Sequence, residues 1–190
     1  HVAGDAQFAD RPRTTVVGTG IDDVRAFFGF TDWPDQVVRY DLGGRVLDVT
    51  GIPGHHATSI AVFDPWTGFL LTGDTVYPGR LYAFEMPTFV ASLDRLAAFA
   101  AERPVTHVMG CHIEMSRRPG RDYPLGAKHQ PDEVPLEMTP AQLVEVRDAA
   151  HRAAAKKGLY VSDTFIIVHG MGAGSQLRLL ARGLGQRLRR

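Results

Sequence analysis

The sequence contains a single cysteine, Cys111, which excludes an internal disulfide and a cysteine-rich zinc module. Its apolar runs fall short of the roughly 18 residues that a membrane-spanning helix needs, so we predict no transmembrane segment. Neither sign of charge is in excess, because 21 Lys and Arg residues balance 21 Asp and Glu residues. A general nucleic-acid binder would show a basic excess, so we expect no nucleic-acid partner.

The remaining composition is that of an ordinary globular domain. The chain has 190 residues, of which 44% are hydrophobic and 22% are charged, and this length suffices for one sizeable core. Strand-type and helix-type segments alternate, which indicates an α/β layered domain. The main predicted elements are strands over 14–18, 45–50 and 105–109, a hairpin over 58–72, a helix from about 88 to Pro104, a helix over 140–157 and a strand over 159–168.

The end of the chain differs in composition from what precedes it. We predict one domain over residues 1–170 and a Gly- and Arg-bearing tail over 171–190. Two interpretations of the tail stay open: a frayed, solvated terminus or an amphipathic helix suited to a membrane surface or a partner groove.

Four metal-capable side chains follow predicted strands or stand in turns that contain glycine. Residues at strand ends in a layered fold gather along one edge of the sheet, where sites are usually built. Three imidazoles and one carboxylate are a reasonable ligand set for zinc. These residues are His1, His55, Asp74 and His112.

The order and context of these residues resemble the motifs of the metallo-β-lactamase superfamily. The start, His1-Val2-Ala3-Gly4, is similar to the end of the family's His-x-His-x-Asp-His motif. The turn over 53–59 reads Pro-Gly-His-His-Ala-Thr-Ser and is similar to the family's Pro-Gly-His-Thr turn. A hairpin then ends in Gly73-Asp74, and Gly110-Cys111-His112 stands where the family has a Gly-His after a strand.

The resemblance implies a fold, a ligand set and cofactors. The expected fold is a four-layer αβ/βα sandwich that is incomplete at its N-terminus in this chain. His55 would bind one metal, His1 and His112 a second, and Asp74 would bridge both and position the attacking hydroxide. The expected cofactors are two Zn²⁺ ions, with iron or manganese as alternatives, and with partial occupancy in a chain that begins at His1.

Further residues near these motifs are candidates for secondary roles. His56 replaces the family's Thr and either orients a ligand by a hydrogen bond or is an ordinary loop histidine. Cys111 is either a soft ligand or a small buried side chain. Three residues follow Asp74 in an irregular loop and are candidates for contact with substrate: Tyr77, Arg80 and Tyr82.

The resemblance favours a metal-dependent hydrolase that uses a metal-bound hydroxide to cleave an ester, thioester, lactone or amide. Its partner would be a small-molecule carbonyl substrate. A glyoxalase II-like enzyme would need basic residues for glutathione, for which Lys156 and Lys157 are candidates. The alternative is a non-catalytic binding module with incomplete metal sites, and we expect poor activity if the native chain begins at His1. The location is left open, with a soluble cytoplasmic protein favoured over an exported one, and the sequence does not address the oligomeric state.

Overall fold

The computed structural model describes residues 2–187. At residues 173 and 184–187 it describes the backbone but not the side chains. The predicted ligand His1 therefore lies outside the described residues. Helices and strands are mixed along the chain, but five strands follow one another before the second α-helix, so the predicted alternation is wrong over that part. The helices are α1 (Ile21–Phe28), α2 (Met86–Ala101), α3 (Pro140–Ala154) and α4 (Ala173–Arg187). The strands are β1 (Val37–Asp41), β2 (Val46–Gly51), β3 (Ile60–Asp64), β4 (Phe69–Gly73), β5 (Arg80–Ala83), β6 (His107–Gly110), β7 (Glu137–Met138), β8 (Gly158–Val161) and β9 (Ile166–His169).

The larger sheet has six strands in the order β1-β2-β3-β4-β6-β7. Strands β1 to β4 form an antiparallel meander, and β6 is parallel to β4. Helix α2 lies in the connection between those two strands, as parallel pairing requires. Because neighbours in the meander alternate in direction, β2, β4 and β6 run the same way. Their carboxyl ends therefore lie along one edge of the sheet.

The smaller sheet has three strands in the order β5-β9-β8. Strand β5 is parallel to β9, and β8 and β9 form an antiparallel hairpin. Strand β5 follows β4 in the chain but pairs in the other sheet. The segment between β4 and β5 therefore links the edge of the large sheet to the small one.

One hydrophobic core joins both sheets to helices α2 and α3. The helices contribute Phe89 and Leu93 from α2 and Leu143 from α3, all of them fully buried. The spacing of the α2 residues is helical, so one face of the helix is apolar and packs inward. Both sheets contribute to the same cluster, with Leu70 from β4 and Ile167 from β9. The two-sheet α/β architecture is thus confirmed.

Two sequence predictions are wrong. Residues 14–18 form no strand and are mostly exposed, because β-branched residues favour a strand only where a partner strand is available. The strand predicted over 159–168 is a hairpin, because the turn between β8 and β9 interrupts it.

The predicted tail is largely the docked helix α4. Its Leu179 is 5% exposed, and its Arg182 pairs with Asp122. The interpretation as a frayed terminus is therefore wrong over the described part of the tail. No helix among the described residues is both long and apolar enough to cross a membrane.

Candidate metal centre

Three of the four predicted ligands meet at the edge where β2, β4 and β6 end. Asp74 directly follows β4, His112 comes two residues after β6, and His55 comes four residues after β2. The carboxyl ends of strands that run in one direction meet at one edge of the sheet, so the topology brings together side chains far apart in sequence.

The carboxylate of Asp74 lies between the two imidazoles. Its Oδ1 is 3.0 Å from Nε2 of His112, and its Oδ2 is 3.7 Å from Nε2 of His55. Each imidazole thus faces a different oxygen of the same carboxylate. The Asp74 side chain is 16% exposed and that of His112 is 42% exposed, so the site is open to solvent on the His112 side.

A backbone carbonyl fixes the orientation of His55. Its Nδ1 is 3.1 Å from the carbonyl oxygen of Tyr82, which can only accept a hydrogen bond. Nδ1 therefore carries the proton in the neutral ring, and the lone pair of Nε2 faces the Asp74 oxygen. Two acceptors that face each other repel unless a cation lies between them or the ring gains a second proton. The donor set thus fits a divalent metal site. In such sites the second ring nitrogen of a ligating histidine commonly donates a hydrogen bond to a backbone carbonyl, which fixes the orientation of the ring.

The two imidazoles share the Asp74 carboxylate, so the three side chains form two pairs of one ring nitrogen and one carboxylate oxygen. In residues 2–187, no group of three or more His, Cys, Asp or Glu side chains is arranged to hold a metal ion. This agrees with the geometry, because the histidines take opposite oxygens of Asp74. His55 with Asp74 would be one pair, and His112 with Asp74 the other.

Glycines allow the turns to approach their neighbours closely. Gly54 has φ of +134°, and a Cβ there would lie 2.4 Å from Cα of Phe89. Its carbonyl accepts the N–H groups of Phe84 and Glu85, so the turn that carries His55 is fixed against the start of α2. Gly110 is equally restricted, since a Cβ would lie 2.4 Å from Cβ of Tyr77.

Tyr77 is buried beneath the site and does not line it. It is 2% exposed, and its hydroxyl donates to the carbonyl of Arg80. Its ring meets the His112 ring edge-on, with 5.4 Å between centroids. Burial raises the pKa of Tyr77 above its usual value, and nearby carboxylates add to the effect. This burial contradicts the predicted contact with substrate and gives Tyr77 the role of support for His112.

Arg80 is also buried, at 4% exposure, which contradicts the same prediction. Its guanidinium donates to Glu114, to Asp122 and to the carbonyl of Tyr123. Burial alone lowers the pKa of Arg80, but the paired carboxylates more than offset this, and the pKa is raised overall. The charge holds the loop over residues 111–123 against the start of β5.

Two residues beside the predicted ligands each had two interpretations. The side chain of His56 is exposed, and its Nδ1 lies 2.9 Å from Oγ1 of Thr58. The Tyr82 carbonyl, not His56, orients the predicted ligand His55, so the structure favours the interpretation of His56 as an ordinary loop histidine. Cys111 is exposed, contrary to the expectation of a small buried side chain, and its pKa is raised by desolvation and by Asp74.

Tyr82 stays a candidate for substrate contact, and the structure adds Phe84 beside it. The two rings are nearly parallel, with 6.2 Å between centroids. Phe84 is 52% exposed, and its ring centroid lies 5.3 Å from that of His55. No sequence signal points to Phe84, because an isolated phenylalanine before a helix is most simply a core residue.

Comparison with known proteins agrees with this geometry. Residues 1–91 match the sequence model of the metallo-beta-lactamase superfamily, and this span contains His55 and Asp74. Over these residues, which make up just under half of the chain, the sequence is therefore similar to the metallo-β-lactamase superfamily.

The proteins similar in sequence to this chain include hydroxyacylglutathione hydrolases. The chain is 34% identical over 106 residues to the hydroxyacylglutathione hydrolase of Synechococcus sp. (strain JA-2-3B'a(2-13)), which covers 50% of this chain and 39% of the relative. It is 31% identical over 115 residues to that of Thermosynechococcus vestitus (strain NIES-2133 / IAM M-273 / BP-1), covering 55% and 43%. The chain thus spans about two fifths of the length of these relatives.

Similar solved structures include two members of the superfamily. A metallo-beta-lactamase from Pontibacter korlensis has 15% identity and a TM-score of 0.40, covering 61% of this chain and 46% of that chain. An archaeal superfamily protein from Sulfolobus tokodaii has 18% identity and a TM-score of 0.40, covering 79% and 50%.

Proposed function

We propose that this protein is a metal-dependent hydrolase of carbonyl compounds, with zinc as the metal. The observation that carries the proposal is the placement of two imidazole Nε2 atoms on opposite oxygens of Asp74. A carboxylate in that position can bridge two divalent cations, whose mutual repulsion it offsets.

Each donor has a defined part in this proposal. His55 and Asp74 would hold one metal, and His112 and Asp74 the other, with His1 as a further ligand of the second. When bound, such metals polarise a carbonyl and lower the pKa of water towards about 7. The chain itself fixes the donors: the Tyr82 carbonyl sets the tautomer of His55, and the Tyr77 ring supports His112.

For the substrate we propose a thioester or ester with an apolar group next to the scissile carbonyl. The relatives named hydroxyacylglutathione hydrolase favour a thioester. The exposed face of Phe84 and the ring of Tyr82 lie beside His55 and offer an apolar wall at the site. Lys156 and Lys157 are exposed after α3 and stay candidates for a carboxylate of the substrate.

A binding module without catalysis is the second candidate. The observation in its favour is that residues 2–187 contain no donor group of three or more side chains that could hold a metal. Such a module, with incomplete metal sites, would bind a carbonyl ligand without turning it over.

The test compares His55→Ala with His56→Ala in the presence of zinc. The two residues are adjacent, but only His55 faces Asp74. Loss of groups that merely orient ligands costs roughly 10- to 100-fold in metal affinity or activity, so we expect His55→Ala to lower kcat/KM for a hydroxyacylglutathione thioester by at least that factor. His56→Ala should stay within about twofold of the wild type.

Three outcomes separate the two candidates. Hydrolysis that falls only in His55→Ala supports the hydrolase. Equal hydrolysis in both variants would overturn the proposed role of His55. Zinc binding that His55→Ala weakens, without hydrolysis of thioester, aryl ester or lactone by the wild type, would establish the binding module instead.

A further inference from the structure

A set of four charged side chains, two of them buried and two partly exposed, connects helix α4 to the loop that carries His112. This loop, residues 111–123, is called the His112 loop below. It doubles back on itself, because Met115 and Asp122 form an antiparallel bridge. Asp122 therefore lies close in space to the start of the loop, although it stands ten residues after His112 in the sequence.

Arg80 binds both acidic residues of the His112 loop that face inward. Its guanidinium donates to Oδ2 of Asp122 at 2.8 Å and to Glu114, and its backbone N–H donates to Oε2 of Glu114 at 2.7 Å. The carbonyl of Pro78 accepts the N–H groups of Glu114 and Met115. The His112 loop is thus fixed to the segment that follows Asp74.

Arg182 from α4 completes the set. Its Nε donates to Oδ1 of Asp122 at 2.6 Å, and its Nη2 donates to the carbonyl of Gly120. Asp122 is 6% exposed and lies between two guanidinium groups. Within these four side chains, loss of Arg182 would leave one guanidinium facing two carboxylates. Asp122 would lose one of its two guanidinium partners, and removing a partner from a buried ion pair is unfavourable.

Arg80 is connected to His112 in two ways, through Tyr77 and through Glu114. Tyr77 contacts the His112 ring and donates its hydroxyl to the carbonyl of Arg80. Glu114 stands two residues after His112 and is held by the same arginine. The position of His112 therefore depends on Arg80, and the arrangement around Arg80 and Asp122 depends on Arg182.

We propose that Arg182 is a positioning residue for His112, and that helix α4 clamps the His112 loop in the shape that presents this imidazole to Asp74. The part of this proposal that concerns metal rests on the function proposed above, whereas the part that concerns the loop does not. The C-terminal segment thereby gains a role in the site, although no residue of α4 lies among the proposed ligands.

The first experiment needs no metal. Arg182→Ala and the control Arg178→Ala remove one arginine each from the same helix, and Arg178 is exposed. Amide hydrogen exchange over residues 111–123 should accelerate in Arg182→Ala and stay unchanged in Arg178→Ala. Arg182→Lys keeps the charge but loses the paired donors, so it should give intermediate exchange. Equal exchange in Arg182→Ala and Arg178→Ala would overturn the clamp.

The second experiment asks whether the effect passes through His112. Zinc affinity is measured by competition with a chromophoric chelator. Groups that orient ligands contribute roughly 10- to 100-fold, and we expect about threefold to tenfold weaker binding in Arg182→Ala because it acts through intermediates. The loss should vanish in a His112→Ala background and persist in a His55→Ala background, as a double-mutant cycle would show.

The outcomes of the two experiments are distinct. An equal loss of affinity in the His112→Ala background would mean general destabilisation and would overturn the positioning role. If the wild-type chain binds no zinc, the proposed function and the metal part of this proposal fall together. Faster exchange confined to Arg182→Ala would still establish the clamp on the His112 loop in that case.

Discussion

At the scale of single residues, Phe84 is the side chain whose exposure calls for a function. A phenylalanine that is 52% exposed next to a polar centre leaves apolar area in water, which a bound apolar group would cover. Contacts between aromatic groups add about 0.5–1.5 kcal/mol beyond area burial. Phe84→Ala should therefore raise KM for an aryl thioester by roughly twofold to tenfold, with little change for the acetyl thioester.

The matched control for Phe84 is Phe8→Ala. Phe8 is 44% exposed and lies in the N-terminal segment next to a short 3-10 turn. Initial-rate kinetics on both substrates measure the ratio of their kcat/KM values. A ratio that is the same in the wild type, Phe84→Ala and Phe8→Ala would contradict a role of Phe84 in selectivity.

Asp64, at the turn between β3 and β4, predicts a specific dependence of stability on pH. Hydrogen bonds from Arg45, Thr67 and the backbone N–H of Trp66 lower its pKa from 3.8 to about 2. Because the folded pKa is depressed, the contribution of Asp64 to stability is present above pH 3.8. It is lost as the pH falls towards about 2.

The test is urea unfolding of wild type and Asp64→Asn between pH 5 and pH 2. The wild type should be the more stable protein at pH 5, and the two free energies of unfolding should converge as the pH approaches 2. Two curves that remain parallel over this range would show that the Asp64 carboxylate has the same pKa in the folded and unfolded states.

At the scale of elements, the start of α3 is a capping box. The hydroxyl of Thr139 accepts the N–H of Gln142 at 3.2 Å, and the Gln142 side chain accepts the N–H of Thr139 at 2.8 Å. Replacing such a residue by alanine costs about 1 kcal/mol. Thr139→Ala should therefore lower the midpoint of thermal unfolding by about 2–4 °C for a domain of this size. Thr139→Ser keeps the hydroxyl and should match the wild type in differential scanning calorimetry. An equal loss in both variants would point to the methyl group instead of the cap.

Elements with local signals could be predicted from the sequence, and those that depend on distant partners could not. Helix α3 was predictable because Thr139, Pro140 and Gln142 mark its start. Strand β5 lacks any local signal, since its strand neighbour is β9, more than 80 residues away in the sequence. Strand β1 was missed for a related reason, because it lies between turn residues and is defined by its pairing with β2.

The candidate site follows the same division. Glycine-bearing turns after strands pointed to His55, Asp74 and His112, and the fold brings these three together. The contacts that hold them could not be predicted. The acidic partners of Arg80 lie 34 and 42 residues away from it, and a backbone carbonyl such as that of Tyr82 leaves no signature in side-chain patterns.

At the scale of the whole molecule, the proposed donors come from turns after three strands of one sheet. A metal held by them would cross-link the ends of β2, β4 and β6, so binding should stabilise the entire fold. A ligand that binds only the folded state at 100 times its Kd adds about 2.7 kcal/mol. For a chain of this length we therefore expect saturating zinc to raise the midpoint of thermal unfolding by roughly 5–10 °C.

A comparison of the zinc-induced thermal shift between variants tests where zinc binds. His55→Ala and His112→Ala should each lose at least half of the increase, because each leaves Asp74 with one imidazole fewer. His56→Ala should retain it, since the His56 imidazole faces Thr58, and a chelator added in excess should reverse the shift in the wild type. An identical increase in His55→Ala and His56→Ala would place the bound zinc away from the edge of the sheet and would remove the physical basis of the proposed hydrolase.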